Sequence, residues 1–356
     1  MRQCTPFRAA GRKGAGMQKR ITLKTVAEAA GVSVSAVSMA LRDHPRISET
    51  KRVEIKALAR ELGYIYNRQA ASLRQGTSDN ISICVNDLHN PVFLEFLTAI
   101  ERELRQSDKL VLLCNAREEC EIQDSFIRRM LEQGSSGLLL SPVEGTCPET
   151  LRTIVQNNFP TVFFTRRLED EGFDHVVSDD ALGVGLAVDE LVRLGHRNIA
   201  WIGGGQHTST AAARFEGFAA ALQKHGLALT EAMVEKVPET GLEVGRAAMD
   251  RILRHAPEVT AVACFSDLLA LGAASTCREA GRSVGQDISI IGHDDLEQSV
   301  YFDPGLSSVR VAKEQIGRDA ARLLLNRIAC PEAPPVHETV APSLILRGTT
   351  GPCPVR

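Results

Sequence analysis

Between residues 23 and 62 the apolar positions recur at helical spacing. Leu23, Val26, Ala27 and Ala30 share one face and Val34, Val37 and Leu41 another, while Ile55, Leu58, Ala59 and Leu62 repeat at i, i+3, i+4, i+7 before Gly63 stops the run. The pattern predicts three short helices, then a very short fourth one from Asn67 to Arg74, ahead of Gly76 and a polar Thr77–Asn80 junction. From Ile81 the rhythm changes. Short apolar runs (ISICV, KLVLLC, GLLLS, TVFFT, VVSDD) alternate with amphipathic helices expected at 92–106, 120–133 and 148–158. A second series follows: helix 181–194, NIAWIGG, helices 211–225 and 241–255, AVACF, helix 267–280 and ISIIG. Strands alternating with helices of this length build parallel sheets from β-α-β units. Two such series, changing over near Asp179–Asp180, predict two lobes. After Pro304 come LSSVRV, a helix at 313–328, the loop PEAPP and SLILR. These are too few for a third lobe and are expected to complete the two sheets, with the chain crossing between lobes more than once.

The expected fold class is α/β, two doubly wound parallel-sheet lobes behind an N-terminal all-α domain. The expected boundaries are a flexible extension at 1–19, a helical domain at 20–65, a hinge at 66–78 and a core at 79–350. Within the core, lobe 1 takes 79–178 and 307–332, and lobe 2 takes 179–306 and 333–350.

Charge sharpens this division. Residues 1–76 hold 15 Lys+Arg against 5 Asp+Glu, whereas the remainder holds 26 against 39, so a net charge of −3 hides a basic head on an acidic body. A phosphate-binding module joined to a domain that does not bind nucleic acid has this balance. Met17 opens a second reading, MQKRITLKTVAEAAG, in which the head keeps 11 against 5. At 44% hydrophobic and 24% charged residues the composition is that of a soluble globular protein, and 356 residues imply two or three domains. No apolar run reaches the length of a membrane span. The first 20 residues lack the apolar stretch of a signal peptide, so a cytoplasmic protein is expected. Nine cysteines stand at 4, 84, 114, 120, 147, 264, 277, 330 and 353 without a Cys-x-x-Cys pair, which predicts free thiols and neither a zinc site nor another cofactor.

The opening helices have the small residues that a helix-turn-helix needs where its helices cross. Ala27 sits at the closest approach, Gly31 in the turn, and Val37 plugs the second helix onto the first. Ser33 can cap that second helix, leaving Val34, Ser35, Ala36 and Met39 outward, where they would face a major groove. A plain helical hairpin would use the same spacing; the basic head, its terminal position and the third helix favour DNA.

The run ITLKTVAEAAGVSVSAVSMALRDHPRISETKRVEIKALARELGYIYNRQAASLRQG resembles the DNA-binding head of the LacI/GalR family of bacterial transcription regulators. DLHNPVF, EQGSSGLLL, LVRLGHRNIAWIGG, ARFEGFAAAL, ACFSDLLALGA, DISIIGHDD and DPGLSSVR extend the likeness over roughly residues 20 to 350. The resemblance implies a homodimer whose paired heads read a palindromic double-stranded DNA operator, and a core like the periplasmic sugar-binding proteins with a small-molecule effector between its lobes. It implies base readers at Val34, Ser35 and Met39, and phosphate contacts from Thr22, Ser33, Ser38, Asn67 and nearby Arg and Lys residues. It also implies a hinge helix at Asn67–Gln75, in which Leu73, with Ala70 one turn before it, wedges into the minor groove. The implied cleft residues are Asn90, Phe93, Arg166, Asp179, Arg214, Phe265, Ser266 and Asp294, with Arg214 and Asp294 gripping the ligand from opposite walls.

Three positions depart from the family pattern. Met39 stands where many relatives carry Arg or His, Tyr66 where Pro commonly precedes the hinge, and Ser266 where Asn is frequent. Two other readings of the chain are weaker. IGGG at 202–205 follows a strand as in a dinucleotide-binding enzyme, but the third glycine place of that fingerprint holds Thr208. A solute-binding protein without DNA function would share the lobes and leave residues 20–76 unexplained.

Overall fold

The computed structural model describes residues 21–66, 79–168, 172–205 and 207–355. The chain divides into two compact units, one within Met1–Gly76 and one within Thr77–Arg356. The expected hinge residues Asn67, Ala70 and Leu73 lie outside the described residues.

The first unit is three helices: α1 (Leu23–Ala30), α2 (Val34–Leu41) and α3 (Glu49–Glu61). Thr22 starts α1 with a capping box, its hydroxyl accepting from Thr25 N while Thr25 Oγ1 accepts from Thr22 N, both at 3.3 Å. Gly31 ends that helix at φ +63°, a left-handed conformation that costs a residue without Cβ little. Two residues later Ser33 Oγ accepts from Ala36 N at 3.1 Å and begins α2. Val26, Ala27, Val37, Ala40, Ile55 and Ala59 close into one small core.

The second unit is two lobes, each a six-stranded sheet covered by helices. Lobe 1 begins as β1 (Asn80–Val85), α4 (Val92–Gln106), β2 (Leu110–Asn115), α5 (Cys120–Glu132), β3 (Gly137–Leu140), α6 (Pro148–Gln156), β4 (Thr161–Phe164) and β5 (Asp174–Ser178). Lobe 2 follows as α7 (Asp180–Arg193), β6 (Ile199–Ile202), α8 (Ser209–Lys224), β7 (Val234–Glu235), α9 (Leu242–His255), β8 (Ala261–Cys264), α10 (Asp267–Glu279), β9 (Ser289–Asp294), α11 (Glu297–Tyr301) and β10 (Ser307–Arg310). The chain then returns to lobe 1 for α12 (Lys313–Ala329) and β11 (His337–Val340), and ends in lobe 2 with β12 (Ser343–Ile345).

The strand order is β11-β5-β4-β3-β1-β2 in lobe 1 and β12-β10-β9-β8-β6-β7 in lobe 2, parallel except where β12 runs against β10. Strands covered on both faces are continuously apolar, and β3, β4, β6 and β8 are buried throughout.

Two expected lobe boundaries are corrected by the pairing. Residues 307–310, assigned to lobe 1 from the sequence, extend the lobe 2 ladder beside β9, with Ser307 opposite Ile291. Residues 337–340, assigned to lobe 2, lie beside β5 of lobe 1, with Val340 opposite Ser178. The chain therefore crosses between lobes three times, near residues 179, 311 and 341.

Candidate functional site: a helix surface and a cavity between lobes

In the helical unit, the start of α2 is exposed. Val34 is 43% exposed, and Ser33 and Ser35 are exposed beside it with their hydroxyls 3.0 Å apart. Ser38 and Met39 are half-buried, so the outward surface is narrower than the sequence predicts and centres on the first turn. Thr22 and Ser33 leave their hydroxyls on the helix starts, where backbone N–H groups favour anions such as DNA phosphates. The turn behind α2 is fixed by Asp43, whose carboxylate holds Lys56 at 2.6 Å and whose carbonyl accepts from Arg52 at 3.1 Å. The Lys56 ammonium keeps the Asp43 carboxyl below its ordinary range.

In the core unit, a cavity of about 480 Å³ opens where the carboxyl ends of both sheets meet. Strand ends of lobe 1 bring Asn86, Thr165 and Ser178 to it, and lobe 2 brings Phe265 and Asp294, the placement expected of ligands in doubly wound folds. Six of the eight residues expected in the cleft line it: Asn90, Phe93, Arg166, Arg214, Phe265 and Asp294.

The other two do not. Asp179 Oδ1 accepts from Leu182 N at 3.0 Å, and Ser266 Oγ accepts from Leu269 N at 3.3 Å. Each caps a helix start, and Ser266 is fully buried, so neither side chain reaches the cavity. The expected grip from opposite walls is also corrected, because Arg214 and Asp294 both belong to lobe 2 and approach to 3.5 Å.

Arg214 lies almost wholly buried on α8. Its Nε donates to Asp180 Oδ1 at 2.9 Å, its Nη1 donates to the Phe265 carbonyl at 2.5 Å, and its guanidinium lies 4.6 Å from the centre of the Phe265 ring. Burial works against its charge, but Asp180 and Asp294 more than offset this and raise its pKa. Burial likewise opposes ionisation of Asp180, yet Arg214 and His293 draw its carboxyl below the usual range. At Asp294 burial dominates and the carboxyl is raised despite Arg214. Asp294 also sits at φ +110°, a left-handed backbone that its neighbours must hold in place.

Lobe 1 presents a second charged pair. Arg166 grips Glu118 with both arms, at 2.7 and 3.1 Å, and its Nη1 also donates to the Pro142 carbonyl. Glu118 further accepts from Asn86 Nδ2 at 2.9 Å and Glu144 N at 3.2 Å. Burial pushes its carboxyl up, but these donors outweigh it and hold the pKa low. Behind them, Ser141 Oγ donates to Asn86 Oδ1 at 2.6 Å and lies 2.6 Å from Thr165 Oγ1. At the rim His207 N donates to Glu144 Oε1 at 2.8 Å and Arg167 N to Ser209 Oγ at 3.0 Å, each joining the lobes.

Sequence reasoning missed Asn86, Glu118, Glu144 and Asp180. Asn86 directly follows the first strand, a position that could have flagged it. The IGGG run serves packing: a Cβ on Gly203 would meet the Phe265 side chain at 2.1 Å, and one on Gly205 would meet the Val237 carbonyl at 2.5 Å.

Residues 22–67 match the model of bacterial regulatory proteins of the lacI family, and residues 188–350 match that of the periplasmic binding protein-like domain. The chain is 30% identical to the HTH-type transcriptional repressor PurR of Yersinia enterocolitica, over 94% of its own length and 98% of that protein's. The chain belongs to the LacI family. Its likeness to the maltose regulon regulatory protein MalI of Escherichia coli is 29% identity over 88% of this chain and 94% of the relative. Among solved structures, this LacI-family chain superposes on the lac repressor dimer bound to operator and the anti-inducer ONPF with a TM-score of 0.83, at 27% identity, covering 93% of one chain and 99% of the other. It superposes on a CelR–cellobiose complex with a TM-score of 0.72, at 28% identity, covering 93% and 100%. No helix among the described residues is long and apolar enough to cross a membrane.

Proposed function

We propose that this protein is a cytoplasmic, homodimeric repressor of transcription whose affinity for a palindromic operator is set by a small molecule, a sugar or a sugar derivative, bound between its lobes. The observation that carries the effector half of this reading is the cavity itself. Its walls come from both lobes and meet at paired charges and hydroxyl partners, so filling it changes the free energy of the lobe arrangement. The solute-binding alternative shares the cavity and leaves residues 22–67, the lacI-family head, without a role.

One head of this size spans a half-site, and a two-fold dimer matches a palindrome. Val34 and Ser35 would meet base edges, with Met39 on the flank of that contact, while Thr22, Ser33, Ser38 and Asn67 hold phosphates. A valine and a methionine offer little directional hydrogen bonding, so the wedge at Leu73, with Ala70 one turn before it in sequence, and the shape of the operator would carry much of the specificity. Effector binding alters the angle between lobes and hence the spacing of the paired heads.

The test is selection of bound duplexes from a random DNA pool with the full-length protein, followed by titration of sugars into the selected complex. Recovery of palindromes and release or tightening by a sugar is the expected result; recovery of unrelated sequences refutes the operator reading. Leu73→Ala is expected to weaken the selected site at least tenfold while leaving random DNA within about twofold. Equal loss on both in a gel-shift titration removes Leu73 from the wedge role.

A further inference from the structure

An effector cavity must match its ligand in charge as well as in shape, and these walls carry a definite sign. Six carboxylates line the cavity, from Asp87, Glu118, Glu144, Asp180, Glu239 and Asp294, against three guanidinium groups, from Arg117, Arg166 and Arg214. With Asp294, whose burial raises its pKa, left out of the count, five still face three.

Two of the three cations are committed to carboxylates, and the third, Arg117, is exposed to solvent beside Glu119. Arg117 lies 3.6 Å from Glu119, Arg166 is forked onto Glu118, and Arg214 sits between Asp180 and Asp294. Three helix starts near the cavity each have one backbone donor already taken. Where α4, α7 and α8 begin, side chains already occupy the helix starts: Asn90 Oδ1 accepts from Val92 N at 3.2 Å, Asp179 from Leu182 N at 3.0 Å and Thr208 from Ala211 N at 3.2 Å. A phosphate or carboxylate that reaches Arg166 or Arg214 must displace a carboxylate partner, and at Arg214 that partner is buried and left uncompensated.

The same walls suit hydroxyl groups, because carboxylate oxygens accept the O–H donors of a polyol. Phe93 and Phe265 add apolar rings for the C–H face of a sugar. We propose that the cavity takes an uncharged polyhydroxylated ring compound and rejects its phosphorylated and carboxylated counterparts. This rests on the reading of the cavity as the effector site.

The experiment is a thermal-shift screen of full-length protein against neutral mono- and disaccharides and, in parallel, sugar phosphates and aldonic acids, with calorimetry of each hit beside its counterpart of the other charge. The expected result is a neutral hit whose phosphate and aldonate bind at least tenfold more weakly. Glu239→Lys, a change at an exposed rim residue, is expected to raise the affinity for those anions at least threefold. An anion that binds as tightly as its neutral parent, hits confined to the anions, or no response to Glu239→Lys overturns the proposal while leaving the effector reading intact. No hit of either class overturns the effector reading and the proposal with it.

Discussion

Arg214 shows how closely a ligand contact and a structural tie can coincide. Removing it leaves Asp180 and Asp294 as buried carboxylates 5% exposed and without their cation, so Arg214→Ala is expected to cost about 3–5 kcal/mol in urea unfolding of the core. Arg214→Lys keeps the charge but cannot serve Asp180, Asp294 and the Phe265 carbonyl together. Its expected signature is retained operator binding in gel shifts with effector affinity at least tenfold lower by calorimetry. Asp267 gives a second residue-level consequence. Its burial, and then the facing Asp294, raise its carboxyl to about 7, while Ser299, Ser308 and Leu296 N donate to it. Between pH 4 and 7 the folded state holds a proton at Asp267 that the unfolded chain has released, so this group's contribution to stability falls as pH rises through that window and is constant above it. Wild type minus Asp267→Asn, measured by chemical unfolding at several pH values, should show this slope; a difference independent of pH refutes it. The sequence motifs pointed to Arg214 and Asp294, yet they could not separate Asp179 from Asp180. Both are acids at the same lobe boundary, and only the direction of the helix start decides which caps and which faces the cavity.

At the scale of elements, periodicity located the helices closely: one expected at 120–133 runs from Cys120 to Glu132, and one expected at 313–328 runs from Lys313 to Ala329. It missed β7, which has two residues, and β11, whose sequence HETV has one buried side chain, Val340. Strands held by backbone pairing at a sheet edge leave little apolar signature. Helix contacts leave one at glycines. A Cβ on Gly217 would lie 2.6 Å from the Ala181 carbonyl oxygen and 2.7 Å from its Cα, so α7 and α8 touch backbone to backbone. Gly217→Ala must push them apart and is expected to cost about 1–3 kcal/mol, the range of overpacked cores. Because α7 carries Asp180 and α8 carries Arg214, the same variant should weaken effector binding. An unfolding midpoint equal to wild type would show that the two helices yield freely.

At the scale of the molecule, a basic head joined to an acidic body ties operator binding to ionic strength. Neutralising 6–10 phosphates is expected to cost roughly 10³–10⁵ in affinity between 50 and 200 mM salt, read as the slope of log affinity against log salt in fluorescence anisotropy. A flat slope would mean that the head's charges do not meet the DNA backbone. Three crossings of the chain between lobes have a further consequence, for the order of synthesis. One outer strand of each sheet, β11 or β12, comes from His337 onward, while β1 appears some 250 residues earlier. Neither lobe can finish its sheet until the chain from His337 onward has been made. A chain broken off before His337 leaves the buried strands β5 and β10 as edges, the state in which strands pair with the wrong partner. Products truncated there therefore lack a complete sheet in either lobe and, with it, the two-lobed cavity.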